Sequence, residues 1–204
     1  MRQTSTISVR AELRPLDREF YTRPTLTVAE ELLGKCLVRQ VDGAALVGRI
    51  VEVEAYIGED DPACHARFGR TERNSVMYGR GGFSYIYFIY GMYNMFNIVT
   101  EREGFPAAVL VRAVEPLEGI DAMQRLRGTT SVGNLSNGPG KLCRAFGLDT
   151  SHSGIDLTGK AIYVSGCESA DHSVGVSSRI GIKQGTERKW RFYIEGNRFV
   201  SRSA

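Results

Sequence analysis

Long apolar runs are missing from this chain of 204 residues, and none approaches the roughly 20 residues that a membrane-spanning helix needs. The first twenty residues, MRQTSTISVRAELRPLDREF, have no apolar signal core, so we expect a cytoplasmic protein. Internal repeats and low-complexity tracts are also missing. The length suits one well-buried domain, and we expect a single domain over residues 1–204, with residues 1–12 as a flexible tail.

Cysteine and histidine are scarce and widely spaced. The four cysteines and three histidines are Cys36, Cys64, Cys143, Cys167, His65, His152 and His172. No C-x-x-C pair occurs, which predicts neither a zinc finger nor a disulfide framework. No H-x-x-x-H pair occurs either, so we expect no metal ion and no metal catalysis.

An excess of one charge is also absent, since the net charge is only +3. The distribution is more informative than the sum. Residues 179–202 contain seven basic side chains against two glutamates, and residues 65–82 contain four arginines against one glutamate. These two basic segments indicate either solvated surfaces or contacts with a polyanion, and the charge pattern alone leaves both interpretations open.

The pattern of apolar residues predicts a mixture of helices and hairpin-type strands. We predict an early helix over residues 28–33, with Thr27 and Glu30 as a capping box and Gly34 at its end. Two further helices are predicted, one opened by Pro116 and reaching residue 126, and one after Asn137. Strands are predicted over residues 36–39, 45–56, 83–90, 92–100, 107–114, 161–164 and 190–194. This mixture favours an α+β fold over a doubly wound sheet.

Four of the nine tyrosines lie in one short segment, FSYIYFIYGMYNMFN, which starts at Phe83. The pattern predicts a β-hairpin that turns near Gly91. We expect Ile86 and Phe88 to pack inward, and Tyr87 to face a pocket. A large ring such as Tyr90 at a hairpin tip suits a wedge between base pairs. An aromatic-rich hairpin packed on its own sheet is the alternative.

Three polar residues could carry chemistry. In VEVEAY, Glu54 and Tyr56 share one face of a strand, as in the floor of a pocket for a flat ligand, or as an ordinary exposed strand face. His65 is either a structural or a functional histidine. Arg112 interrupts an apolar strand and needs a carboxylate, such as Glu54, or a phosphate as its partner. The segment NGPGK at residues 137–141 begins a helix, by plain capping or around a bound anion.

Taken together, these stretches resemble the alkyladenine DNA glycosylase family, the 3-methyladenine DNA glycosylases of the mammalian type. The resembling segments run from residue 33 to residue 197. They are LGKCLVR, GRIVEVEAYIGEDDPACHA, GRTERNSVMY, YIYFIYGMYNMFNIV, AVLVRAVEPLEG, NGPGKLC and RFYIEGN. The segment HARFGRTER is one residue shorter than in some members of that family.

The resemblance implies a compact α+β domain with a curved antiparallel sheet, a protruding β-hairpin and helices packed around it. The pocket-forming motifs contain no lysine that could form a Schiff base, which argues for a monofunctional enzyme, and we expect no cofactor. The expected substrate is double-stranded DNA, from which the enzyme excises purines such as 3-methyladenine, 7-methylguanine, hypoxanthine and ethenoadenine. We expect a monomer that acts on nucleoid DNA and has no membrane partner.

The resemblance also assigns roles to individual residues. Glu54 is expected to activate water, Tyr56, His65 and Tyr87 to stack the extruded base, and Asn97 to disfavour normal guanine. Tyr90 is expected to be the intercalating wedge, and Arg112 to lie near a phosphate. The further residues expected to contact DNA are Met92, Tyr93, Arg70 and Arg73. A nucleic-acid binder without activity and a hydrolase of free nucleosides remain alternatives.

Overall fold

The computed structural model describes residues 13–41, 43–167 and 171–201, so the predicted tail at residues 1–12 lies outside the described residues. The helices of the described part are α1 Arg18–Tyr21, α2 Thr25–Leu32, α3 Ile120–Arg127 and α4 Pro139–Ala145. The strands are β1 Cys36–Val41, β2 Ala44–Ile57, β3 Ser84–Ile89, β4 Tyr93–Val99, β5 Ala107–Glu118, β6 Ile162–Ser165, β7 Val174–Ser177 and β8 Arg191–Ile194. Short 3₁₀ helices occupy Ser75–Tyr78, Val132–Asn134 and Thr150–His152.

All eight strands join one antiparallel sheet with the order β3-β4-β5-β2-β1-β6. Strand β8 pairs with both β2 and β7, and so adds a branch to this order. The sheet is curved and carries helices around it, which confirms the predicted α+β class. Strand β7 has no counterpart among the predicted strands.

Strand β2 is the centre of the sheet and changes partner along its length. Its first half pairs with β1, and residues Glu52 to Glu54 pair with β8 instead. On its other side β2 pairs with β5 over its length, with register shifts at three points between Val47 and Val53. Such irregularities bend a strand and re-aim its side chains, often beside active sites. The bend therefore falls directly before Glu54.

The predicted hairpin is present as β3 and β4, joined by a tight turn at Tyr90 and Gly91. Both turn residues have positive φ, 54° and 67°, and the N–H of Met92 donates to the carbonyl of Ile89 (3.2 Å). Positive φ at both central positions defines the type I′ turn, whose twist matches that of the flanking strands. The hairpin protrudes beyond the core, so the prediction that Phe88 packs inward is wrong, and its side chain is about half exposed.

Two predicted helix starts are wrong. Helix α2 begins at Thr25 after Pro24, and Thr27 and Glu30 form no capping box, because Pro24 already fixes the chain direction one turn earlier. Pro116 opens no helix, since β5 continues through it to Glu118. Pro116 pairs with Gly48 beside a register shift, where a proline without an N–H is tolerated. The helix predicted after Asn137 is present as α4, which begins at Pro139.

The two faces of the sheet pack against different parts of the chain. On one face, apolar residues of β2, β4 and β5 pack against α2, α3 and α4 in the main core. On the other face, a smaller cluster around Met77, Tyr85 and Ala108 packs under the segment between β2 and β3. The second face leaves room for a cavity, because this segment is irregular and covers it only in part.

One disulfide is present, between Cys36 and Cys167, which corrects the expectation of a chain without a disulfide framework. Strands β1 and β6 are antiparallel neighbours with Cys36 opposite Ser165, so Cys167 follows two residues beyond the paired position. Sequence spacing could not show this, since 131 residues separate the two cysteines. Cys64 and Cys143 are buried free thiols.

Candidate active site

A cavity of about 330 Å³ opens on the face of the sheet opposite the main core. Its walls come from six regions, namely β2, the segment between β2 and β3, the hairpin, β5, the start of α4 and the loop after β7. The lining residues are Tyr56, Ala63, His65, Met77, Tyr85, Tyr87, Ile89, Tyr90, Met95, Asn97, Ala108, Leu110, Arg112, Pro139, Ile180, Gly181 and Ile182. Most of these side chains are aromatic or apolar, which suits a flat organic ligand.

Glu54 is fully buried, and three residues that line the cavity hold its carboxylate. The backbone N–H of Ile180 donates to Oε1 (2.7 Å), and Nη1 of Arg112 lies 3.2 Å from the same oxygen. The hydroxyl of Tyr56 donates to Oε2 (2.8 Å). Burial, followed by the negative charge of Glu54, raises the pKa of Tyr56 well above its usual value, so Tyr56 remains a donor. Oε2 accepts one hydrogen bond from the described residues and has a second lone pair for a further donor.

Glu52 is the second buried carboxylate of β2, and it anchors the arginine that holds Glu54. Its Oε1 accepts hydrogen bonds from Nε of Arg112 (2.9 Å), Nε of Arg191 (2.7 Å) and the hydroxyl of Ser201 (2.8 Å). Burial opposes the charge of Arg112, but Glu54 and Glu52 outweigh it and raise the Arg112 pKa. Of the two partners that the sequence leaves open for Arg112, the structure shows carboxylates. The phosphate contact stays a prediction.

Arg179 is a site residue that sequence reasoning missed, because it was counted only as part of a basic tail. Its side chain is fully buried and forms a bidentate pair with Asp61 (2.5 and 2.7 Å). The guanidinium lies 4.6 Å from the ring centroid of Tyr56 and 5.2 Å from that of Trp190. The next residue is Ile180, whose N–H holds Glu54. The buried pair therefore fixes the loop that orients the carboxylate.

Rings from two segments form an aromatic wall. The centroids of His65 and Tyr87 lie 4.3 Å apart, and those of Tyr85 and Tyr87 lie 5.5 Å apart. Nδ1 of His65 lies 2.9 Å from the hydroxyl of Tyr85. His65 stays exposed on one side, yet desolvation, followed by the charge of Arg73, lowers its pKa to about 4. His65 is therefore neutral at pH 7.

Asn97 lines the same cavity from the neighbouring strand. Strands β3 and β4 place Tyr85 opposite Asn97 and Tyr87 opposite Met95, so these four side chains share one face of the hairpin. The Asn97 amide group donates to the carbonyls of Tyr85 and Met95 (3.0 Å each). Because both of its N–H groups are used in this way, the side chain is held in one orientation, with Oδ1 on the remaining side.

The hairpin tip presents apolar side chains to solvent. Tyr90 is 74% exposed, Met92 63% and Tyr93 44%. Tyr90 also borders the mouth of the cavity, whereas Met92 and Tyr93 lie on the other side of the turn. Large exposed apolar groups at one point indicate a contact surface rather than a fold requirement. The positions agree with the predicted contact by this tip, which stays a prediction.

The basic residues that were predicted to contact DNA differ in their exposure to solvent. Arg70 and Arg73 are exposed, and Arg73 donates to the carbonyl of Phe88 (3.1 Å) and lies 5.4 Å from the Tyr87 centroid. In the basic tail, Arg179 and Arg191 are buried in ion pairs. The interpretation of residues 179–202 as one phosphate-binding surface is therefore wrong for these two arginines, while Arg202 lies outside the described residues.

In the described part of the chain, no helix has the length and apolar character needed to span a bilayer. This part also contains no group of three or more His, Cys, Asp or Glu side chains arranged to hold a metal ion.

Comparison with known proteins first gives the class of this enzyme. A model of the family described as methylpurine-DNA glycosylase matches residues 19–198, which is most of the chain. The protein is therefore a DNA glycosylase, a hydrolase that cleaves N-glycosyl bonds in the course of base excision repair, and its substrate is DNA with damaged bases. The chain belongs to the methylpurine-DNA glycosylase family.

Related bacterial proteins agree with this assignment over nearly their full lengths. A protein of Chlorobaculum tepidum named "Putative 3-methyladenine DNA glycosylase" is 47% identical over 94% of this chain and 92% of its own length. Proteins of the same name from Desulfitobacterium hafniense and Clostridium perfringens are each 46% identical. The first covers 93% of this chain and 99% of its own length, and the second 92% and 98%.

Proposed function

We propose that this enzyme extrudes alkylated or deaminated purines from duplex DNA and hydrolyses their N-glycosidic bond with water activated by Glu54. The substrates are of the class of 3-methyladenine, 7-methylguanine, hypoxanthine and ethenoadenine. The observation that carries the proposal is the fully buried Glu54 carboxylate, held by three residues that also line an aromatic cavity. The product is an abasic site.

The aromatic cavity supports base extrusion. Rotating a nucleotide out of a duplex costs a few kcal/mol, and stacking on aromatic rings recovers about 1–3 kcal/mol per base. Tyr56, His65 and Tyr87 supply these rings, and Tyr90 fills the vacated stack. Methylated purines carry positive charge, which ring faces attract. Because His65 is neutral at pH 7, it does not repel such a base.

Glu54 supports the hydrolytic step. Oε2 accepts a hydrogen bond from Tyr56 and has a lone pair left to accept one from water. The water attacks C1′ of the sugar as the base leaves, and its proton passes to the carboxylate. The negative charge also stabilises the oxocarbenium-like transition state, as carboxylates do in glycosidases. Arg112, Ile180 and Tyr56 fix the direction of the carboxylate throughout.

The side chains of the cavity support removal of the base without cleavage of the DNA strand. None of the described residues that line it is a lysine, so no amine is placed to form a Schiff base with the sugar. A monofunctional glycosylase, which leaves the DNA strand intact, is the proposed activity. We also propose a monomer that acts on nucleoid DNA in the cytoplasm.

The test is Glu54→Gln. The amide oxygen can replace Oε1, and the amide N–H can donate to the Tyr56 hydroxyl, so the fold and lesion binding are expected to persist. A general base contributes roughly 10²–10⁴-fold, and the lost charge moves the defect to the top of that range or beyond it. Single-turnover excision beside a gel-shift titration on the same duplex separates the two effects.

The matched control is Glu59→Gln, which makes the same change at an exposed glutamate that accepts a hydrogen bond from Tyr78 (2.8 Å). This variant is expected to excise at the parental rate. Near-parental excision by Glu54→Gln would show that Glu54 is not the catalytic carboxylate. Activity on the free nucleoside as high as on the duplex would favour a nucleoside hydrolase instead.

A further inference from the structure

Arg179 packs against a wall of the cavity beside Glu54 without lining that cavity. We call this cavity the base cavity, since the proposed function places the extruded base in it. The side chain of Arg179 is fully buried, and its guanidinium lies 4.6 Å from the ring centroid of Tyr56, which does line the base cavity. Arg179 therefore supports this ring from behind and makes no contact with a bound base.

The first of three contacts that lead from Arg179 to Glu54 runs along the backbone. Ile180 follows Arg179 directly, and its N–H donates to Oε1 of Glu54 (2.7 Å). This N–H lies in the planar peptide group that the two residues share, so its direction depends on how Arg179 is held. Burial of the Arg179 side chain thus fixes the donor to Oε1.

The second contact runs through the ring of Tyr56. Its hydroxyl donates to Oε2 of Glu54 (2.8 Å), and the guanidinium of Arg179 packs on the ring. Trp190 also packs on this guanidinium, with its ring centroid 5.2 Å away. Planar guanidinium groups stack well on aromatic faces. The packing restricts the Tyr56 ring, and so it also restricts the donor to Oε2.

The third contact is made on strand β2. Nη1 of Arg179 donates to the backbone carbonyl of Ala55 (2.9 Å), the residue between Glu54 and Tyr56. This hydrogen bond holds the strand at the point from which the carboxylate and the hydroxyl project. Through the three contacts, Arg179 acts on both oxygens of the Glu54 carboxylate without touching either of them.

Asp61 holds Arg179 in the geometry that all three contacts require. The bidentate pair between them (2.5 and 2.7 Å) is fully buried, and the N–H of Ala63 also donates to Asp61 (3.1 Å). Burial opposes the charge of Arg179, but Asp61 outweighs it and raises the Arg179 pKa, so the guanidinium keeps its charge. Asp61 lies in the segment that brings Ala63 and His65 to the base cavity. The pair therefore also joins this segment to the loop after β7.

We propose that Asp61 and Arg179 are positioning residues for the hydrolysis, and that they orient both oxygens of the Glu54 carboxylate. This inference rests on the proposed function, because it takes Glu54 as the group that activates water. Arginine suits the task, since one planar fork can serve a carboxylate, a carbonyl and an aromatic face together. The pair then contributes to the rate of bond cleavage and not to the affinity for DNA.

The test is a double exchange, Asp61→Asn with Arg179→Met. Removing one partner alone would leave a buried charge unpaired and destabilise the fold, whereas replacing both partners is often neutral for stability. We expect the double variant to melt near the parental temperature and to bind a lesion duplex with parental affinity. Single-turnover excision should fall roughly 100-fold, the cost of a reacting group displaced by about 1 Å. Parental excision by the folded double variant would overturn the proposal.

The matched control makes the same two exchanges in another pair of arginine and aspartate. Arg18 and Asp156 form an ion pair (2.5 Å), and neither residue lines the base cavity. The variant Arg18→Met with Asp156→Asn is expected to excise at the parental rate. A loss as large as that of the first double variant would show that any disturbed ion pair slows the enzyme, and the proposal would be wrong.

A second variant, Arg179→Lys, decides the matter if the double variant does not fold. Lysine keeps the positive charge, so Asp61 stays paired, but an ammonium group lacks the planar fork that reaches Asp61, Ala55 and the rings together. Lesion binding is expected to remain parental, while excision slows. If the pair served the fold alone, Arg179→Lys would excise at the parental rate, and that result would reject a positioning role.

Adding the double exchange to Glu54→Gln shows whether the pair acts through Glu54. If it does, the exchange should cause little further loss of excision, because the effects of residues that act as a unit are not additive. An equal loss in both backgrounds would contradict the proposal. Parental excision by Glu54→Gln itself would contradict the proposed function. A slow Glu54→Gln beside a fully active double variant would contradict only the role of the pair.

Discussion

Tyr90 combines two unfavourable features, a positive φ of 54° and 74% exposure of a large ring. A left-handed backbone costs most side chains roughly 1–2 kcal/mol, and asparagine much less. The turn geometry would prefer Asn-Gly at positions 90 and 91. The fold therefore gains nothing from a tyrosine here, which supports a role in DNA contact.

Replacing this ring should separate stability from function. Tyr90→Asn is expected to stabilise the protein by about 0.5–1 kcal/mol, because asparagine accepts the left-handed backbone. It should also reduce base extrusion, reported by fluorescence of a base analogue beside the lesion, and less so opposite a mismatch. Tyr90→Phe keeps both the ring and the backbone cost, so it should match the parent in both measurements. Unchanged extrusion in Tyr90→Asn would exclude the wedge.

Asn97 gives a second prediction at the scale of one residue. Its side chain is 3% exposed and fixed by two carbonyls, so it fills space beside the base rather than moving away. Normal guanine carries a 2-amino group, which the proposed substrates derived from adenine and hypoxanthine lack. Asn97→Ser is expected to raise excision of normal guanine roughly tenfold, a typical effect of reshaping a pocket. The measurement is a count of abasic sites in undamaged DNA, made well below the melting temperature. Equal counts for the variant and the parent would contradict this prediction.

At the scale of elements, the hairpin and α4 form one unit through Tyr93 and Gly140. A Cβ at position 140 would approach Cδ1, Cγ and Cβ of Tyr93 to 2.5, 3.0 and 3.2 Å. The glycine lies within a helix, where alanine is usually better by about 1 kcal/mol. The close approach must therefore outweigh helix propensity for glycine to be the better residue.

A double-mutant cycle can measure this balance. Gly140→Ala in the Tyr93→Ala background is expected to stabilise the protein by about 0.5–1 kcal/mol, because the obstructing ring is gone. In the parent the same change should give little or no gain and should weaken DNA binding by displacing the hairpin. Equal effects on the unfolding free energy in both backgrounds would show that α4 and the hairpin are not coupled.

At the scale of the whole molecule, acid should destabilise the protein through both His65 and Asp61. The folded-state pKa of His65 is lowered to about 4, below its usual 6.5, so between these values the unfolded chain binds a proton that the folded chain does not. Stability from His65 is therefore lost as the pH falls from 6.5 towards 4. Burial opposes the charge of Asp61, but Arg179 outweighs it and lowers the Asp61 pKa, so that contribution is lost at still lower pH.

Melting temperatures at pH 7 and pH 4.5 would check this expectation. The parent should melt at a lower temperature at pH 4.5, and His65→Gln should lose less between the two values, because glutamine does not titrate. Phe68→Gln serves as a control, since this side chain is 87% exposed and lies in the same segment. A decrease in His65→Gln as large as in the parent would assign the pH dependence to other groups.

The sequence by itself determined the features that depend on neighbouring residues. Alternation with a period of two placed Glu54 and Tyr56 on one face of β2, and the hydrogen bond between their side chains confirms it. The hairpin was predictable because its two strands are adjacent in the chain and meet at a glycine. The order of motifs predicted the family, which the matched family model confirms. In each of these cases the informative residues are close together in sequence.

Only the tertiary structure decided which distant groups complete the site. The N–H of Ile180 holds Glu54 across 126 residues of sequence, and Arg179 reaches Asp61 across 118. The composition of residues 179–202 suggested a charged surface, yet Arg179 and Arg191 are buried, because they pair with the buried carboxylates of Asp61 and Glu52. A basic residue looks the same in sequence whether it faces water or a buried carboxylate. The pairing of strands brings remote segments together, and it determines whether an arginine faces water or a buried carboxylate.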